Sequence, residues 1–155
     1  MLNMTFGESW FSAKKRLNVV WNEEQARIAH EKRSPYVVVI ATARHTSVVI
    51  EFNNDYIGLG FMDTYSREFL VYQFEEIESS LVFLSVAIHR EFDGVSDKVI
   101  KATTYRFDPN GKCTITTRDY QSGECVQRDT VLDVSMNWDR YPAFGHYESI
   151  MRIER

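Results

Sequence analysis

Four histidines, His30, His45, His89 and His146, are the side chains of this chain best suited to acid–base or metal chemistry, and their spacing limits both. None stands in an HExxH or CxxC…HxxxH pattern, so no zinc site and no metal cofactor is expected. His89 and Glu91 share one face of an apolar run and could act as a base with its orienting carboxylate. A two-residue spacing on a strand arises readily by chance, so a hydrolase built on His89 or His146 is the weakest of three functional readings. There is no GxSxG, and neither Cys113 nor Cys125 sits in a nucleophile context. Gly58-Leu59-Gly60 lacks the third glycine or the Gly-Lys-Ser/Thr that a phosphate loop requires. No catalytic set is expected, and the chain reads as a non-enzyme.

The charged residues point instead to binding. Residues 51–97 carry ten Asp/Glu against two Lys/Arg, a net −8, while the whole chain is only −4. An acidic block of this kind repels nucleic acid and anionic membranes and favours a basic partner. It would serve equally as a solvated face that aids solubility. Glu75, Glu76 and Glu78 follow one apolar run, and with Asp63 and Glu68 they are expected to form a rim that meets Lys or Arg on a partner. Trp138 and Tyr141, with Phe144 and Tyr147, are aromatics of the type that anchors interfaces, or that caps the open end of a sheet. The expected contact set is therefore Asp63, Glu68, Glu75, Glu76, Glu78, Trp138 and Tyr141.

The elements that must position these residues are mostly strands. Between Tyr36 and Phe92 the chain reads as five apolar runs rich in Val, Ile, Phe and Tyr, separated by polar or Gly-containing breaks. Tyr36–Thr42, Ser47–Phe52, Tyr56–Met62 and Glu68–Phe74 are expected strands. Ser79–Phe92 fits a strand better than a helix because of its β-branched content. In Tyr56–Met62, Ile57, Leu59 and Phe61 share one face and Gly58 and Gly60 the other, which suggests close approach by a covering element. Asp97–Phe107, Lys112–Asp119 and Glu124–Val134 add a three-stranded ribbon around turns at Asp108–Gly111 and Gln121–Glu124. Apolar residues at Trp10, Leu17, Val20, Trp21 and Ile28 recur near the helical period, so Glu8–Lys32 is expected to be a helix, capped by Ser9, that covers the sheet. The sum is a single α+β domain, residues 1–155, with an N-terminal helix on a mostly antiparallel meandering sheet of about seven to eight strands.

At 155 residues, 44% hydrophobic and 26% charged, the composition is that of an ordinary globular domain able to build a core unaided. No apolar run is long enough to span a bilayer, and the first residues do not resemble a signal peptide. On the expected ribbon Cys113 faces residue 130 and Cys125 faces residue 118. That places the cysteines roughly 17 Å apart along the strands, against the ~7 Å limit of a disulfide. Two free thiols fit a reducing compartment, and the chain is expected to be cytoplasmic.

The meander FNNDYIGLGFMDTYSREFLVYQFEE, the strand SLVFLSVAIHREFDG, the hairpin YRFDPNGKCTITTRD and the tail NWDRYPAFGHYESIMRIER together resemble the immunity proteins of bacterial polymorphic toxin systems, of the contact-dependent inhibition or Rhs type. The likeness covers most of residues 36–155 and is one of style and spacing, so it assigns no individual residue. It implies a protein that binds and neutralises a cognate toxin domain, many such toxins being basic nucleases. The alternative is a small-ligand-binding β-rich domain with its cavity between the first helix and the sheet near Gly58 and Gly60.

Overall fold

The computed structural model describes residues 3–41 and 46–155. Its strands are β1 (Asn3–Gly7), β2 (Trp10–Phe11), β3 (Arg16–Leu17), β4 (Val20–Trp21), β5 (Tyr36–Ala41), β6 (Thr46–Phe52), β7 (Tyr56–Met62), β8 (Glu68–Glu78), β9 (Leu81–Phe92), β10 (Val99–Phe107), β11 (Lys112–Asp119), β12 (Cys125–Val131) and β13 (Trp138–Arg140); the one helix described is α1 (Glu23–Glu31). Eleven strands form one antiparallel sheet in the order β12-β11-β10-β9-β8-β7-β6-β5-β1-β4, with β13 joined to β9. From β5 to β12 the order in space is the order in sequence, and no two successive strands are separated by more than six residues. The class is α+β as expected, but the sheet is wider than seven to eight strands. Short pieces at both ends of the chain, β1, β4 and β13, add to the expected meander.

The expected helix over Glu8–Lys32 is corrected. Only Glu23–Glu31 is α-helical, and its start is set by Asn22, not Ser9. The Asn22 side chain accepts from Gln25 N while Gln25 Oε1 accepts from Asn22 N, a reciprocal capping box that stops the helix from extending backwards. Residues 10–17 fold as a small hairpin, with Trp10 opposite Leu17 and its turn at Ser12–Lys14 closed by Lys15 in the left-handed region at φ 51°. Trp21 lies in β4 opposite Phe6. The remaining expectations held more closely. Ser79–Phe92 is strand from Leu81, Glu68–Phe74 continues to Glu78, and Lys112–Asp119 keeps its limits. Cys113 stands opposite Thr130 and Cys125 opposite Arg118, and both thiols are free.

The pleat gives the sheet two unlike faces. The inner face carries Tyr36, Val38, Ile50, Phe52, Ile57, Leu59, Phe61 and Phe74, and is covered by Ala26 and Ala29 of α1 and by Tyr147 and Ile150 of the C-terminal tail. The outer face carries Val37, Val39 and Val49, and the β2–β3 hairpin lays Trp10 and Leu17 over these. The tail is fixed by Arg155, whose side chain is only 4% exposed and which pairs with Asp139 at 3.2 Å and donates to the Met136 and Ser149 carbonyls.

His30 joins the helix, the sheet and the tail. Its ring is boxed by Tyr36, Phe52, Tyr141 and Phe144, with centroids 5.4–5.9 Å away. Nε2 lies 3.0 Å from the Pro142 carbonyl, which can only accept, so Nε2 carries the proton. Nδ1 then accepts from the Tyr36 hydroxyl at 2.9 Å, and Tyr36 in turn accepts from Tyr147 at 3.3 Å. Burial, assisted by the Arg33 charge, holds the His30 pKa below its ordinary 6.5. A folded-state value below the unfolded one means that the unfolded chain binds the proton more readily. The stability His30 confers is therefore full above about pH 6.5 and declines as pH falls below it. Thermal unfolding between pH 7.5 and 5.5 should show Tm dropping with pH in the wild type, and a shallower drop in His30→Gln.

Candidate acidic interface

The expected contact residues do not form one patch. Glu68 and Glu75 lie seven residues apart on β8, roughly 23 Å along the strand, and Asp63 sits with Glu68 at the far end. Both of those carboxylates are already engaged. Asp63 caps its own turn by accepting from Tyr65 N and Arg67 N and pairs with Arg67 at 2.8 Å; although desolvation opposes it, these bonds hold the carboxyl below its usual range. Glu68 Oε1 accepts from Arg90 at 2.8 Å.

The other five residues meet at the opposite end of the sheet, where the β6–β7 and β8–β9 turns lie side by side. Glu76 N donates to the Asp55 carbonyl, and Tyr141 N donates to the Ser80 carbonyl. Within this group Glu76 is half-buried and paired with Arg33 at 3.2 Å, while Arg33 stacks on the Tyr141 ring at 3.3 Å. Trp138 packs on Phe83 at 4.9 Å between ring centroids. Glu76, Tyr141 and Trp138 are thus partly consumed by the fold. Glu75 and Glu78 are exposed, and neither makes an ion pair or side-chain hydrogen bond among the described residues.

Sequence reasoning missed their neighbours. Asp55 is exposed in the adjoining turn, and Tyr56 stands directly opposite Glu75. The β8–β9 register slips between Glu76 and Glu78, which leaves Ile77 without an opposing residue and 46% exposed. Tyr56 and Leu81, 38% and 36% exposed, complete an apolar centre beside Asp55, Glu75 and Glu78. The only signal for Ile77 in the sequence was its place in a run of glutamates.

A trough leads from this end along the outer face. Between Tyr56 and Met62, β7 contributes only Gly58 and Gly60 to that face, so the floor is bare backbone between Val49 and Glu51 of β6 and Val71 and Gln73 of β8. Tyr56 closes one end and Glu68 the other, enclosing about 190 Å³. Because α1 packs on the Ile57 and Leu59 face, the glycines face away from it; the expected cavity between helix and glycines is corrected to this trough on the opposite side. Glu51 makes no hydrogen bond or ion pair among the described residues, and burial together with the Glu68 charge raises its carboxyl pKa. Among the same residues no group of three or more His, Cys, Asp or Glu converges to hold a metal. His89 is exposed on β9, opposite Leu70 and Thr103, and His146 is exposed in the tail; His45 lies outside the described residues.

Comparison with protein-family models, with curated proteins and with solved structures returned no match. No helix among the described residues is long and apolar enough to cross a membrane.

The two glycines answer to different constraints. A Cβ on Gly60 would drive into the Glu68 carboxylate, with Cδ 2.9 Å away, whereas a Cβ on Gly58 would meet only Tyr56 Cε2 at 3.8 Å. Gly60→Ala should swing the flexible Glu68 side chain away from Arg90, a partly exposed ion pair, and cost no more than about 1 kcal/mol. Gly58→Ala should be neutral or stabilise by about 0.5–1 kcal/mol, since glycine is costly in a strand interior. Urea denaturation of the two variants measures both.

Proposed function

We propose that this chain is a protein-binding domain that neutralises a basic toxin domain, the role implied by its resemblance to immunity proteins. The observation that carries the reading is the end of the sheet where exposed Tyr56, Ile77 and Leu81 lie among the carboxylates of Asp55, Glu75 and Glu78. Apolar side chains supply affinity when a partner dries them, and unneutralised charges around them speed encounter with a partner of opposite sign. A strand register that expels an isoleucine into water adds nothing to the core and suits a contact surface.

Of the seven residues expected at the interface, Glu75 and Glu78 remain its charged members, with Trp138 and Tyr141 supporting them from below. Asp63 and Glu68 belong to the other end, and Glu76 is neutralised by Arg33. The reading requires no chemistry from the chain itself: a bound inhibitor covers the toxin's active site or its path to substrate.

Co-expression of the tagged chain with the product of the gene immediately upstream should yield a stable complex and protect the host from that product. If no neighbouring product is toxic or copurifies, the reading fails. With the partner in hand, Glu75→Lys with Glu78→Lys should slow association by about tenfold or more at low salt and flatten its salt dependence. Ile77→Asp should act mainly on dissociation. Stopped-flow binding across a salt series distinguishes the two, and wild-type rates in all variants would place the contact elsewhere.

A further inference from the structure

We propose that the glycine-floored trough receives one arginine side chain of the partner, its alkyl stem passing Tyr56 onto Gly58 and its guanidinium between Glu51 and the Glu68 carboxylate that covers Gly60. This rests on the reading above that the chain binds a basic protein, and it names the group that the outer face would recognise.

Three observations converge on it. The first is Gly58 itself. Its backbone is extended, its φ lies outside the left-handed region, and a Cβ there would make ordinary contact with one tyrosine carbon. The fold does not require glycine at this position and is weakened by it. What the missing side chain provides is depth, and a glycine in a strand interior commonly marks where another group approaches the backbone closely. The second is charge. Glu68 gives Oε1 to Arg90, while Oε2 is the atom nearest the Cβ site of Gly60, on the trough side. Glu51 has no partner among the described residues. The Glu68–Arg90 pair is neutral, so the trough holds one uncompensated negative charge, which a single cation would neutralise. Tyr56, Gln73 and Glu75 complete the surroundings: an aromatic end wall, a neutral amide and a further exposed carboxylate where the trough meets the acidic end.

The third is size. At about 190 Å³ the trough falls below the ~300–1,000 Å³ of pockets that hold drug-sized ligands. Its strand-lined floor suits an extended side chain. No third His, Cys, Asp or Glu converges with Glu51 and Glu68 among the described residues to hold a metal ion. Arginine is favoured over lysine because a planar guanidinium can donate to Glu51 and to Glu68 Oε2 at once, and its flat face tolerates the Tyr56 ring at the end wall.

The test needs no partner. Titration of the ¹⁵N-labelled chain with n-butylguanidinium, followed by amide chemical shifts, should give saturable changes centred on Gly58, Gly60 and Val71, with Kd in the millimolar range expected of one side-chain fragment. Butylammonium should bind several-fold more weakly, and uncharged butyramide should produce no saturable shift. Gly58→Val, which fills the floor, should weaken butylguanidinium at least tenfold without lowering Tm. Glu51→Gln should weaken it comparably. Shifts centred on Glu75 and Glu78 instead, or undiminished binding to Gly58→Val, overturn the proposal and leave the protein-binding reading intact. If the trough titrates as described but no neighbouring product copurifies, that reading fails and the trough stands as a guanidinium site. Where the toxin does copurify, a Gly58→Val chain that binds it as tightly as wild type would show that the partner does not use the trough.

Discussion

A strand sends successive side chains to opposite faces, and in β7 this alternation places Ile57, Leu59 and Phe61 on one side and Gly58 and Gly60 on the other. The inner side is packed to near-complete exclusion of water, with Ile57 and Leu59 each 1% exposed. Between Tyr56 and Met62 the outer side has no bulk at all. A register slip of one residue would exchange the two faces, burying bare backbone and exposing three large apolar groups, so the pairing of β7 with β6 and β8 is tightly specified. The asymmetry of the whole sheet follows from this strand. One face must be roofed by the helix and tail, and the other needs only a small hairpin over Val37, Val39 and Val49.

The roof over the inner face is held by polar contacts as much as by packing. His30 accepts from Tyr36 and donates to Pro142, which ties α1 to β5 and to the tail through a single ring. Arg155 and Asp139 secure the tail from its other end. Both arrangements bury ionisable groups, and both fix the tail in one position more specifically than apolar contacts alone would. The acidic end inherits that order, because Tyr141 and Trp138, which support it, belong to the same tail segment.

The meander was legible in the sequence because alternation and turn chemistry agree there. Asn53-Asn54-Asp55 and Asp108-Pro109-Asn110-Gly111 punctuate runs whose limits then follow to within a few residues. The segment before α1 was misread for a definite reason. Trp10 and Leu17 are seven residues apart, which is two turns of a helix and also the spacing that closes a short hairpin with the pair face to face. Periodicity cannot separate the two, and the stronger cap at Asn22 decided where the helix begins. The acidic content was plain from composition, but its neutralisation was not. Arg33 reaches Glu76 across 43 positions and Arg90 reaches Glu68 across 22, distances at which sequence offers no signal for pairing. The exposure of Ile77 depends on a register slip that no local preference announces.

The sheet grows in chain order from β5 to β12, yet the part of its inner-face roof that α1 does not supply comes from residues 135–155. At ribosomal speeds of about 5–20 residues per second, roughly 3–12 s separate synthesis of the end of β9 from synthesis of Ile150. For that interval Phe74, Val82 and Leu84 have their strands but no lid, and they are open to any other nascent chain nearby. The order of the elements thus makes residues 135–155 a guard against aggregation during synthesis, a duty separate from anything the finished surface does.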